Sequence, residues 1–99
     1  PIYLEVELLA LFERQAGMIM GQLAQTSAPG DRRLRHDLAH TLKGSARAVG
    51  AGAVAASAQA LEECLYGGDG EAELARAMGE LSAAVEAARA AATSLLADK

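Results

Sequence analysis

The chain has no tryptophan, a single cysteine, and only Tyr3, Tyr66 and Phe12 as aromatics. One cysteine excludes an internal disulfide and fits a reducing compartment. No apolar run approaches the roughly 18–20 residues that a membrane-spanning helix needs. Glu5 and Glu7 interrupt the N-terminal apolar stretch, so no signal-peptide pattern forms there. There is no P-loop-type phosphate cradle, no HExxH pair and no carboxylate cluster for magnesium, which removes the common nucleotide and metal signatures. β-Branched residues are few, whereas Ala, Leu and Glu are abundant, a balance that favours helix over strand. Ninety-nine residues hold one modest core and leave little room for a separate substrate pocket.

The net charge of −4 argues against general nucleic-acid binding. The distribution of charge says more than the total. Arg32, Arg33, Arg35, Lys43 and Arg47 fall within residues 32–47, where Asp37 is the single acid. A basic patch on an acidic chain reads as a local docking surface for an anionic group or an acidic partner.

Apolar spacing predicts four helices, near residues 4–26, 31–49, 53–66 and 71–97. The first carries Leu4, Leu8, Leu11, Phe12, Ala16, Ile19 and Leu23, and ends at Pro29 and Gly30, with Asp31 available to cap the next. The second turns Leu34, Leu38, Leu42, Ser45 and Val49 inward and stops at the glycines of VGAG. The third reads Val54, Ala58, Leu61, Leu65. The last reads Leu74, Met78, Leu81, Val85, Ala88, Ala92, Leu95, alternating steps of four and three as in a left-handed bundle seam. Short connections between amphipathic helices predict an all-α, antiparallel up-down-up-down four-helix bundle, with residues 1–99 as one domain and a monomer.

Residues 36–51, HDLAHTLKGSARAVGA, place two histidines about one helical turn apart. His40 lies two residues from both Leu38 and Leu42 and so faces away from the core. His36, Lys43, Gly44 and Arg47 fall within about 60° of it. A zinc site would need three or four ligands, and Lys43 and Arg47 would repel a cation. A nucleophile fits better, because imidazole, with an ordinary pKa of about 6.5, supplies a neutral ring near pH 7. An exposed His40 could attack a phosphoryl group carried by another protein. Lys43 would offset that group's charge. Gly44 would keep the approach to the ring clear.

The stretch AHTLKGSARAVG, residues 39–50, resembles the signature of histidine phosphotransfer (HPt) domains of two-component phosphorelays, H-x-x-K-G-[SA]-[SA]-x-x-[VLI]-G. His40, Lys43, Gly44, Ser45, Ala46, Val49 and Gly50 all match. An upstream helix with Phe12, a downstream helix ending in ALEECL and a closing helix extend the likeness over nearly the whole chain. It implies that His40 takes a phosphoryl group from a receiver-domain aspartate and passes it to another. It also implies a side chain on the third helix that holds the inner ring nitrogen. Glu62 occupies that position, with Gln59 in reserve. Many members of that family have a longer lead-in before the first bundle helix, so a small capping helix is expected to be missing here or merged with the first long one. The start at Pro1 fits initiator-methionine loss as well as excision from a larger sensor kinase.

The expectation is a cytoplasmic phosphocarrier without autokinase activity and without a cofactor of its own, the magnesium ion residing in the receiver. Response-regulator receivers or a hybrid sensor kinase would be the partners, with no nucleic acid or membrane, and Arg33, His36 and Arg47 would form the docking contacts. The competing reading is a helical docking module that regulates a receiver or kinase without carrying phosphate. A pure binder would not need His40, Lys43 and Gly44 together.

Overall fold

The computed structural model describes residues 2–26, 31–68 and 70–97. Helix α1 spans Ile2–Gln25, α2 Arg32–Val49, α3 Gly52–Gly67 and α4 Glu71–Ala97. No strand occurs among the described residues. Only Gly50 and Ala51 separate α2 from α3, so the chain must double back on itself there. Each helix packs on the next, and α4 closes the ring against α1. Among the described residues no Cα of α1 lies within 8 Å of one in α3, nor any of α2 within 8 Å of one in α4. This is the expected antiparallel four-helix bundle. Its extents of 44 × 19 × 18 Å match the roughly 40 Å length of α4 at about 1.5 Å per residue.

The core is built from Phe12, Ile19, Leu23, Leu42, Val54, Leu61, Leu65, Leu74, Leu81 and Val85, interleaved with alanines. The α3 stripe Val54, Ala58, Leu61, Leu65 is buried throughout, as its spacing predicts. The inward face of α2 differs from expectation. Ala39, Leu42 and Ala46 are fully enclosed, Leu38 and Val49 only partly, and Leu34 remains 48% exposed. Small side chains at 39, 46 and 58 let α2 and α3 approach closely, and theirs is the most extensive helix pairing in the molecule. Reading the face from leucines alone placed it a fraction of a turn away.

Leu8, Leu11 and Leu95 were expected inside and are exposed. Leu8 and Leu95 border an open groove of 360 Å³ with Leu9, Ala48 and Val49. Leu11 lies about 100° from the buried Phe12 and so points off the α1 seam. Leu4, Pro29 and Gly30 carried part of the same sequence reading; the side chain of Leu4 and both punctuation residues lie outside what the structure describes.

The connections hold by local chemistry. Asp31 occupies the N-cap position of α2, yet its side chain makes no capping hydrogen bond. Thr26, just past the end of α1, is held to α2 by Arg35, whose Nε donates to Thr26 Oγ1 at 3.0 Å and whose Nη2 donates to the Thr26 carbonyl. Arg32 Nε donates to the Leu65 carbonyl at 2.9 Å, satisfying the C-terminal end of α3 where helix carbonyls carry partial negative charge. On the other side, Gly17 clears a path for Arg89 of α4. A Cβ there would come within 2.9 Å of the guanidinium that pairs with Glu13 at 2.8 Å.

At the end of α2, Gly50 adopts φ +77°. The Ala51 N–H reaches the Ala46 carbonyl at 2.8 Å and the Gly50 N–H reaches that of Arg47 at 3.3 Å, a Schellman closure. A Cβ at Gly50 or at Gly52 would meet nothing within 4 Å, so the two positions differ only in backbone conformation. Gly50→Ala should therefore cost about 1 kcal/mol from the left-handed backbone alone. Gly52→Ala should be neutral or stabilising. Urea denaturation of the two variants checks this, and equal losses would refute it.

Candidate functional site

His36, Asp37, His40, Lys43 and Arg47 rise from α2, and Gln59, Glu62 and Glu63 from the adjoining flank of α3. Glu62 lies at the centre. Its side chain is only 11% exposed, yet three α2 side chains reach its carboxylate. Lys43 Nζ is 2.8 Å from Oε1, His40 Nδ1 is 3.2 Å from Oε2, and His36 Nε2 is 3.6 Å from the same Oε2. Oε1 has no aligned hydrogen-bond donor despite the short distance to Nζ. The contact with Lys43 is thus an ion pair with poor angles, and at 2.8 Å its coulombic strength does not depend on them.

The His40 contact determines what the ring can do. A carboxylate can only accept, so the neutral imidazole facing Oε2 carries its proton on Nδ1. Nε2 then keeps its lone pair. The His40 side chain is 66% exposed, whereas that of Lys43 is only 16% exposed. The site therefore presents an oriented imidazole to solvent, with a cation one turn away and a carboxylate beneath. A Cβ at Gly44 would meet nothing within 4 Å, so packing does not require the glycine, and the space beside the ring is open.

The structure places the remaining sequence candidates unevenly. Gln59 does not contact the ring: its Oε1 accepts from Arg47 Nη2 at 3.1 Å, and its amide donates to Glu63 at 3.2 Å. Glu62 takes the place for which both were considered. Arg47 is accordingly braced against α3, and Arg33 is exposed. Arg32 and Arg35 belong to the same basic run, yet they bond to the ends of α3 and α1, so the run is less freely presented than its composition implies. His36 stacks on His40 with ring centroids 6.4 Å apart and planes 5° from parallel. It also lines a 370 Å³ groove with Lys43, Glu62 and Tyr66. The i, i+4 spacing signalled that the rings would be neighbours; their shared carboxylate came from another helix and had no local signature. No set of three or more His, Cys, Asp or Glu side chains is arranged to hold a metal among the described residues. None of the described helices is long and apolar enough to cross a membrane.

The model of the Hpt domain family matches residues 7–91, a span that contains the whole site. The chain belongs to that family, whose members are histidine phosphocarriers rather than enzymes and work with two-component receivers or kinases. No curated protein and no solved structure matches it.

The electrostatics of Glu62 yield a stability prediction. Burial is the largest single influence and pushes its carboxyl up. The close contact and charge of Lys43, with the hydrogen bond and charge of His40, together outweigh it and hold the group below the ordinary value of 4.5. A carboxyl depressed in the folded state stabilises the fold above its unfolded value and loses that contribution as pH falls through the folded value. The stability gap between wild type and Glu62→Gln should therefore be widest above pH 4.5 and narrow below it. Denaturant titrations across that range measure the gap; one that widens on acidification would reverse the sign of the argument.

Proposed function

We propose that His40 is the phosphoacceptor through which this domain relays a phosphoryl group between receiver aspartates. The observation that carries the reading is the pairing of an exposed ring with a proton-fixing carboxylate at Nδ1. In the step proposed, the Nε2 lone pair of His40 attacks the phosphorus of a receiver aspartyl phosphate. The P–O bond to aspartate breaks, the carboxylate leaves, and a P–Nε2 bond forms. The proton stays on Nδ1, so the product ring is cationic and Glu62 lies against its charge. Reversal returns the group to the same or another aspartate.

Lys43 would turn from Glu62 to the phosphoryl oxygens, and Gly44 would keep the in-line path clear. Arg33, His36 and Arg47 would meet the acidic receiver. Magnesium and the acidic phosphorylation pocket would come from that partner, with the domain itself a cofactor-free, cytoplasmic monomer lacking autokinase activity.

Incubation with a phosphorylated receiver should transfer label in acid-labile, base-stable form to the wild type. His40→Gln should stay folded and take none. Label on the folded His40→Gln variant would move the chemistry elsewhere, and label acquired from ATP and magnesium alone would contradict a passive carrier.

Gly44 gives a second, steric test. Gly44→Leu should strengthen the helix by about 1 kcal/mol, since leucine is a far better helix former than glycine. The same change should block transfer by covering Nε2. Transfer at the wild-type rate in that variant would show that access does not depend on the glycine.

A further inference from the structure

The arrangement around Glu62 poses a problem that phosphorylation would sharpen. Oε1 is buried, and Lys43 is the cation that offsets it. If Lys43 turns to a phosphoryl group on His40, the carboxylate loses that compensation while still enclosed. Such a loss is costly for a carboxylate with so little contact with solvent. One further side chain is placed to respond. His36 Nε2 lies 3.6 Å from Oε2, too long for a hydrogen bond in this state and within a small side-chain movement of one. Its other nitrogen lies 3.8 Å from Asp37 Oδ1, and its ring is parallel to that of His40. Both the Nε2–H tautomer and the imidazolium would present a donor to Oε2. The imidazolium would also present one to Asp37.

We propose that His36 is the positioning residue that holds Glu62 in place when Lys43 turns from that carboxylate to the phosphoryl group. By doing so it keeps Oε2 on the Nδ1–H of His40. It touches neither the phosphorus nor the leaving group and acts through Glu62. The inference rests on His40 being the phosphoacceptor. It adds a role for a residue that lies outside the H-x-x-K-G pattern.

The test uses phosphoramidate as a small phosphodonor, so that receiver docking cannot contribute. Attack by Nε2 of His40 breaks the P–N bond of the donor, and ammonia leaves. Wild type, His36→Phe and His36→Gln are compared by labelling rate and by nitrogen-15 NMR of the histidine rings. Phe keeps a flat ring beside His40 and lacks the donor; Gln keeps an N–H able to reach Oε2. We expect His36→Phe to label about three- to tenfold more slowly, the span of one hydrogen bond. His36→Gln should recover most of that loss. In the unphosphorylated protein, His40 should show the Nδ1–H form in all three. After labelling, the His36 Nε2 resonance of wild type should move to that of a hydrogen-bonded N–H, and the Nδ1–H of His40 should exchange faster in His36→Phe alone. Wild type that labels on His40 while His36→Phe matches it in rate and exchange would overturn the role of His36 and leave the carrier reading intact. Wild type that takes no label on His40 would overturn both.

Discussion

A carboxylate buried between two helices sets the terms for the rest of this molecule. Glu62 projects from α3 into the seam with α2, where Ala39, Ala46, Ala55 and Ala58 leave no bulk to hold the helices apart. Close packing excludes water from the seam, and an ion excluded from water must find its partners in the protein. Those partners are His36, His40 and Lys43, which share one face of α2. Sliding or rotating α2 by a single residue would strand the carboxylate. The charge thus fixes the relative setting of α2 and α3, which apolar contacts between alanines specify only loosely.

The same constraint makes the histidine useful. A free surface imidazole exchanges tautomers and rotates about its side-chain bonds, whereas a ring tied at Nδ1 presents Nε2 in one direction. Helices suit this task better than loops because they set the Cα positions at both ends of the tie. The bundle needs no pocket for it. An exposed ring on a rod only 19 Å across can enter a cleft supplied by another protein, and a concave site around it would obstruct that approach.

The sequence showed the bundle and the line His40, Lys43, Gly44 because both are local patterns, set by helical period and by spacing along one helix. It left Glu62 and Gln59 as alternatives for a physical reason. They are three residues apart on α3, within one turn, and the choice depends on how that helix is rotated against α2. Rotation comes from packing, and here the packing is set by alanines, which carry little weight in an apolar stripe. Leucine-weighted reading misplaced the α2 face and put Leu8, Leu11, Leu34 and Leu95 inside. Arg32 and Arg35 were legible as charge and illegible as structure. Their acceptors include the carbonyls of Leu65 and Thr26, and a backbone carbonyl has no signature in sequence.

If Lys43 neutralises the phosphoryl group as proposed, it is the point at which stability and transfer compete. With His40 as acceptor, a lysine free in water would be wholly available to the phosphoryl group and would stabilise the phosphorylated state to the full. Here it is already paired with Glu62, and the phosphoryl group gains only the difference between the two partners. That difference lowers the stability of the charged product relative to the resting state. A relay benefits from the smaller value, since a carrier that holds its cargo too tightly transfers slowly in the forward direction. On the proposed route, placing that cation on Glu62 at rest would weaken its hold on the phosphoryl group, through the same ion pair that joins α2 to α3.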